Sequence, residues 1–288
     1  MKRIGLLDQF LDNFHANFLP RWIEACGRNN DYTITHAFAL ENSPRGMDNA
    51  SWCAQRGVQL CPSAQEVVEH CDVIAVLAPS HPQSHELLAK EALCSGKPVF
   101  IDKTMAVSAA QARGFFATSA AHKTPLFSSS ALRFAGELAK AREFLNGEPP
   151  AHMMLMCPGN IAEYSVHLCE MAVVLGVGDQ GRVLAHGPAN NGTVLFEFRD
   201  GRTCVLRIQL GCSYGLWVSD TNGKGLEIVP ISHEFFINFT RALLEFFDGK
   251  SSPAPPSETI KIHMMIDAIL DALRKPGAWQ NFEFENES

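Results

Sequence analysis

Apolar positions change period along this chain, and the changes mark its elements. Arg3 to Leu7 is a short apolar run that reads as a strand, and a helix is expected from about Asn13 to Cys26, where Gly27 stops it. Thr33 to Leu40 is a second strand, carried by Thr33, Ile34 and Phe38. Met47 to Arg56 reads as a helix ended by Gly57, and Val58 to Cys61 as a short strand. Ser63, with Glu66 three residues on, has the capping-box spacing of a further helix.

The most informative pattern is Asp72 to Lys103. Asp72-Val73-Ile74-Ala75-Val76-Leu77 is apolar and rich in β-branched residues, and it stops near Pro79 because proline cannot extend a central strand. Leu87, Leu88, Ala89, Ala92 and Leu93 return at helical spacing until Ser95-Gly96, and Lys97 to Ile101 is another strand. A strand, a crossover helix and a strand form a βαβ unit whose right-handed connection makes the strands parallel and brings both carboxyl ends to one edge. Open α/β sheets bind ligands at that edge, and here it carries Pro79 and Asp102-Lys103-Thr104. Ser108 to His122 is an amphipathic helix and Leu126-Phe127 starts one more strand.

The second half follows a different plan. Met153 to Cys157 is a strand and Ala162 to Leu175 a helix, and strands follow at Gly181 to His186, Thr193 to Arg199, Thr203 to Gly211, Leu216 to Ser219 and Leu226 to Val229. Asp200-Gly201 between two alternating runs is a hairpin signal. Consecutive strands after one helix predict an open, mostly antiparallel sheet packed by helices. His233 to Phe247 is a helix whose Phe235, Phe236, Phe239, Leu243, Phe246 and Phe247 form a wide core-facing stripe, and Ser257 caps a last helix to Arg274.

Composition narrows the possibilities. At 288 residues the chain is one large domain or two ordinary ones, and 46% apolar with 19% charged residues supports a sizeable core. A net charge of −7 without a Lys/Arg run argues against nucleic acid and leaves small molecules as ligands. The opening apolar run is too short for a signal peptide's core, and no stretch is long enough for a membrane span. Nine cysteines without a CxxC pair or His/Cys ligand spacing read as reduced thiols of a cytoplasmic protein, with no metal expected.

The order D-V-x-x-V-x-A-P-x…H-x-x-x-A…G-K-P-V-x-x-D-K resembles the glucose-fructose oxidoreductase and inositol dehydrogenase (Gfo/Idh/MocA) family, whose members carry T-P-N, a histidine, G-K-x-V and then E-K-P at these points. Here the glutamate and proline of that last motif appear as Asp102 and Thr104, and Lys103 is kept. Glu163-Tyr164-Ser165-Val166-His167-Leu168-Cys169-Glu170, then Leu175-Gly176, is similar to the family's D-x-G-x-H-x-x-D before Leu-Gly, and Ser128 to Phe134 to its R-F crossing between domains. The resemblance covers nearly the whole chain. It implies an α/β protein with an N-terminal Rossmann-like doubly wound parallel sheet at 1–128 and a C-terminal α+β domain at 129–288, the last helix being a candidate to pack back on the first domain.

It also implies a function: hydride transfer between NAD or NADP and a sugar, polyol or related secondary alcohol. Lys103 and His167 would be catalytic, the lysine polarising the substrate oxygen and the imidazole taking or returning the hydroxyl proton. Cofactor contacts would come from Asp8, Phe10, Leu11, Glu41, Pro79, Asp102 and Lys103, and substrate contacts from His15, Lys103, Arg133, Glu163 and His167. On a helix Glu163, His167 and Glu170 share a face, where two carboxylates would raise the imidazole's pKa and hold its tautomer. Arg133 either meets an anion or ties the domains together.

The glycine loop departs from the pattern. Asp8, Phe10 and Asn13 stand where G-x-G-x-x-G has its glycines, and a carboxylate about 4 Å from a phosphate costs roughly 1 kcal/mol in water and more where solvent is excluded. The N-terminus of the following helix attracts an anion without needing glycine. Glu41 at the end of the second strand favours NAD, since an acidic residue there accepts from the ribose hydroxyls, whereas Ser43 and Arg45 would suit a 2′-phosphate. Two alternatives stand beside the dehydrogenase: a non-redox member acting as a sugar-binding or regulatory protein, and an NAD-retaining lyase or hydrolase acting on sugars. An open sheet face predicts a homo-oligomer, dimer or tetramer.

Overall fold

A computed structural model describes residues 1–284. The elements in chain order are β1 (Lys2–Asp8), α1 (Phe14–Ala25), β2 (Tyr32–Ala39), α2 (Asn49–Arg56), β3 (Gln59–Leu60), α3 (Ala64–His70), β4 (Val73–Val76), α4 (His85–Leu93), β5 (Val99–Ile101), α5 (Ala109–Ala121) and β6 (Leu126–Phe127). The chain continues with α6 (Gly136–Phe144), β7 (His152–Cys157), α7 (Ile161–Leu175), β8 (Gln180–His186), β9 (Asn191–Phe198), β10 (Thr203–Gln209), β11 (Gly215–Ser219), β12 (Gly225–Ile228), α8 (Phe235–Phe247), α9 (Pro256–Leu273) and β13 (Gln280–Glu283). Two compact units result: Met1–Ser129 with Phe236–Pro256, and Ser130–Phe235 with the segment from Ser257 onward.

The first unit holds a six-stranded sheet in the order β3-β2-β1-β4-β5-β6, every neighbouring pair parallel. All four residues of β4 are buried, as a strand covered on both faces requires, and Ile74 pairs with Val99 across the expected βαβ unit. The strand order reverses between β1 and β4, which opens a crevice at their carboxyl ends. Gly5 permits the close approach of α3 to β1, because a Cβ there would lie 2.4 Å from Val67 Cγ1. The phenylalanine stripe of α8 is core, as its pattern predicts: Phe239 meets Phe100 at 5.3 Å between centroids and Phe246 meets Phe127 at 5.5 Å. Asp248, just past α8, accepts from Tyr32 Oη at 2.6 Å, Arg28 Nη2 at 2.9 Å and Lys2 Nζ at 3.2 Å.

The second unit holds a seven-stranded sheet, β12-β11-β7-β10-β9-β8-β13. It is mostly antiparallel, as expected, with β7 and β10 parallel to each other. Inward and outward residues alternate cleanly along β9 and β10, and Gly201 at φ +86° makes the turn between them. Three local expectations change. After Phe127 the chain leaves the sheet and residues 131–134 form a 3₁₀ turn capped by Ser130. The last helix begins at Pro256, so Ser257 lies inside it. Helix α6, which has no side-chain N-cap, and strand β13, four residues long, are elements the sequence pattern did not announce.

Candidate functional site

At the carboxyl edge of the first sheet, Lys103 follows β5 and is held at both ends. Its backbone N–H donates to Asp102 Oδ1 at 2.8 Å, and its ammonium donates to the Pro79 carbonyl at 2.9 Å. Pro79 follows β4, so the lysine spans two adjacent strand ends of the crevice. Asp102 is 2% exposed, and its Oδ2 lies 2.5 Å from Nδ1 of His15, in the first turn of α1. The motif histidine, His85, is fully buried, with its ring nitrogens 2.9 Å from the Met105 carbonyl and 3.1 Å from that of Leu77. It pins the ends of the βαβ unit from the interior. Burial pushes its pKa down.

The loop after β1 is built from side-chain hydrogen bonds instead of glycines. Asp8 is turned inward and fully buried, accepting from the N–H groups of Gln9 at 2.8 Å and Ala78 at 3.0 Å and from Asn13 Nδ2 at 2.8 Å. Burial pushes its carboxyl up to about 7, against those donors, which pull it down. Asn13 caps α1 by accepting from Ala16 N–H at 3.1 Å, and it also donates to the Phe10 carbonyl at 2.7 Å. Leu11 is fully buried, its N–H taken by Asn49 Oδ1 at 3.0 Å. Asp12 accepts from Asn17 Nδ2 at 2.7 Å and Met47 N–H at 2.7 Å; chiefly these bonds hold its carboxyl below the usual range.

Of the expected cofactor contacts, Asp8 and Leu11 have side chains that face the interior. Phe10 is half-buried, edge-on to His81 at 5.5 Å. Glu41 stands exposed past β2, its Oε1 accepting from Gln9 Nε2 at 2.8 Å, while Gln9 Oε1 accepts from Ser84 Oγ at 2.5 Å. Gln9 thus joins the strand end that would meet a ribose to the loop before α4. These features fit a dinucleotide: no carboxylate from Asp8 faces the anion's place, the first turn of α1 carries no acidic residue, and the exposed Glu41 carboxylate, which accepts from Gln9 at one oxygen, has further lone pairs for hydroxyls.

In the second unit the expected triad on α7 is divided. Glu163 is exposed and His167 half-buried, whereas Glu170 is 2% exposed and accepts from Ser130 N–H at 3.1 Å and from Arg133 Nε. His167 Nδ1 lies 2.7 Å from Ser130 Oγ, so the partner found at that nitrogen is a hydroxyl. Glu170 accepts from Arg133 and Ser130, and Glu163 is exposed. Arg133 also donates to Glu258 on α9 at 2.6 Å, and its own side chain is 9% exposed. Both of these ties lie inside the second unit, and among the described residues Nη2 is buried without a hydrogen-bond partner. Tyr164 and Tyr214 flank His167 at ring distances of 5.4 and 6.2 Å. Burial pushes the Tyr214 phenol upward, so it stays protonated and available as a donor.

Several of these residues escaped the sequence reading. Asn13 was within reach, as an Asn just before an apolar helix is an N-cap signal. Tyr164 was within reach too, lying three residues before His167 on one helix, whereas Gln9, Asn49, Ser130 and Tyr214 act through tertiary contacts that no spacing announces. Cavities of ≈ 550 Å³ beside Asn17, Tyr32, Trp52 and Arg56, and of ≈ 480 Å³ beside Arg182, Glu197, Phe198 and Phe282, include neither Lys103 nor His167. Among the described residues no cluster of His, Cys, Asp and Glu is suited to a metal ion, and no helix is long and apolar enough to cross a membrane.

Residues 16–129 match the Gfo/Idh/MocA family profile, described as "Oxidoreductase family, NAD-binding Rossmann fold". No curated protein matches the chain in sequence. Among solved structures it is similar to scyllo-inositol dehydrogenase from Lactobacillus casei with bound NAD(H) and scyllo-inositol, at a TM-score of 0.81 and 14% identity over 98% of this chain and 99% of that one. GenD2 from gentamicin A biosynthesis, in complex with NAD, gives 0.80 at 13% identity over 98% and 97%. Myo-inositol 2-dehydrogenase from Lactobacillus plantarum gives 0.79 at 13% over 98% and 99%. At such identities the likeness establishes the fold, and it extends over both units.

Proposed function

Because residues 16–129 match the profile of the Gfo/Idh/MocA oxidoreductases, we propose that this protein is an NAD-dependent dehydrogenase of a sugar, polyol or related secondary alcohol. The observation that carries the reading is Lys103, fixed by Asp102 and the Pro79 carbonyl at the sheet edge where ligands bind, on a rim from which the Asp8 carboxylate has been withdrawn. Glu41 would hold the ribose hydroxyls, the N-terminus of α1 the pyrophosphate, and Pro79, Asp102 and Lys103 the nicotinamide end. An exposed carboxylate at position 41 disfavours a 2′-phosphate, hence NAD over NADP. When bound, the cofactor supplies the acceptor for the carbon-bound hydrogen.

The chain's own groups handle the proton. Lys103 donates to the substrate oxygen and stabilises negative charge as it develops there, and the imidazole of His167 takes the hydroxyl proton. His15 and Glu163 are assigned to substrate contacts on the same reading. The names of the similar structures, among them enzymes of scyllo- and myo-inositol, support a polyol-like substrate. The non-redox alternative drew on Asp8 and Phe10, and the inward turn of Asp8 removes its stronger half.

We place the protein in the cytoplasm, in keeping with nine free cysteine thiols, and as a dimer or tetramer. Across the second sheet Trp217, Met154, Val205 and Leu195 form one cross-strand row on the less buried face, with Met154 44% exposed, and a second copy would cover it.

The test is a titration with NADH and NADPH followed by fluorescence, then a panel of inositols and sugars with NAD. NADH should bind more tightly than NADPH, a member of the panel should generate NADH, and Lys103→Ala or His167→Ala should lower that rate by about 10²–10⁴ with the fold intact. No binding at about millimolar NADH would sink the reading, because a usable site at that concentration stabilises the protein measurably.

A further inference from the structure

Ser130 occupies the junction between β6 and the second unit's first turn, and it is fully buried. Its N–H donates to Glu170 Oε2 at 3.1 Å, its hydroxyl accepts from Leu132 N–H at 3.2 Å, and its carbonyl accepts from Arg133 N–H at 3.2 Å. Glu170 is itself anchored on Arg133, and Arg133 on Glu258. The serine is therefore held from three sides, and its Oγ lies 2.7 Å from Nδ1 of His167. A residue so restrained fixes whatever it touches.

We propose that Ser130 is the positioning residue of His167: it accepts the Nδ1–H, which aims the ring and makes Nε2 the nitrogen whose lone pair takes a proton from substrate. A hydroxyl both donates and accepts, so it pairs with either neutral tautomer. Once the ring has gained a proton both nitrogens are donors, and only acceptance by Ser130 is then open to the contact. The bond becomes charge-assisted at that moment and favours proton uptake at Nε2. Glu170 acts one step behind, orienting the serine through its N–H. This proposal rests on His167 being the proton acceptor of the reaction above, yet its geometry lies wholly within the second unit.

Two measurements test it. The first needs no substrate: ¹⁵N NMR of the imidazole in the whole protein, above its titration midpoint, should show His167 protonated at Nδ1 and bare at Nε2. In Ser130→Ala that preference should disappear and the midpoint should fall, because a bond favouring the charged ring is lost. An Nε2–H ring in the native protein, or identical spectra in the two proteins, overturns the proposal whether or not any polyol is oxidised. The second is kinetic. Ser130→Ala should lower kcat about 10-fold with KM within about twofold and shift the acid limb of the kcat profile to lower pH, while Ser130→Thr, which keeps the hydroxyl, restores both. An unmoved acid limb overturns it. A protein whose imidazole behaves as described but which oxidises no polyol refutes the dehydrogenase reading and leaves Ser130's role in place.

Discussion

The rim of the first sheet and the inner face of α7 depart in opposite ways from the Gfo/Idh/MocA motifs they resemble. At the rim the letters differ while the expected strand and helix still flank the loop: Asp8 and Asn13 stand where glycines are expected, yet Asp8 folds inward onto Ala78 N–H, and Asn13 caps the helix that should follow. On α7 the letters are nearly kept and the neighbours found at the imidazole differ from those its spacing predicts. Glu163 and Glu170 retain the carboxylates, but one is exposed, the other serves Arg133 and Ser130, and a serine lies at the imidazole. A motif therefore reports backbone placement more dependably than it reports which side chain touches which. Backbone placement depends on burial and turn chemistry spread over many residues, whereas a contact depends on one rotamer and its neighbours.

The largest expected effect separates stability from chemistry within the second unit. Arg133→Ala leaves Glu170 buried without its cation, which should cost about 3–5 kcal/mol in urea unfolding, since an uncompensated buried charge is the expensive case. His167→Ala, at a half-buried position, should cost about 1 kcal/mol or less while removing activity. Should Arg133→Ala prove as stable as wild type, the Arg133–Glu170–Glu258 line is not a structural brace, and Arg133 returns as a candidate for the anion contact suggested by the sequence.

Intermediate in size is a pH effect confined to the rim. The Asp8 carboxyl is raised from 3.8 to about 7 on folding, so between those values the folded chain binds the extra proton. Stability from this group is then fully present below about pH 4 and is lost as pH rises toward 7, at up to about 1.4 kcal/mol per pH unit, with no further change above. Asp8→Asn removes the titration and should flatten the slope of unfolding free energy between pH 5 and 7 relative to wild type. It also places an amide NH₂ against Asn13 Nδ2 or a backbone N–H, so a lower overall stability is expected. A variant with the wild-type slope would mean that Asp8 is ionised inside the fold, and the carboxylate–phosphate objection would regain its force.

Most of the fold could be read in the sequence, because its signals are repeated: β4 is a continuous apolar run, β9 and β10 alternate, and the Phe stripe of α8 spans its length. The grouping of α8 with the first unit and of α9 with the second could not, since a stripe shows that a helix is buried without naming the surface that buries it. The site was readable as positions, Lys103 at a strand end and His167 on a helix, but not as contacts. Gln9, Asn49 and Ser130 meet partners 32, 38 and 37 residues away in sequence, and neither period nor spacing encodes such pairs.

The smallest expected effect returns to the rim and concerns one such pair. Gln9 donates to Glu41 and accepts from Ser84, bridging the loop after β1 to the end of β2 and to the approach to α4. If glycines are dispensable here because polar side chains hold the loop, removing one of those ties should loosen the cofactor without touching the proton chemistry. Gln9→Ala is therefore expected to weaken NADH binding by a few fold, in line with the loss of a neutral hydrogen bond worth about 1 kcal/mol, and to leave kcat at saturating NAD unchanged. A fall in kcat with unaltered NADH affinity would place Gln9 beside the reacting atoms instead, and the rim would then differ from the α7 face less than the two sets of contacts suggest.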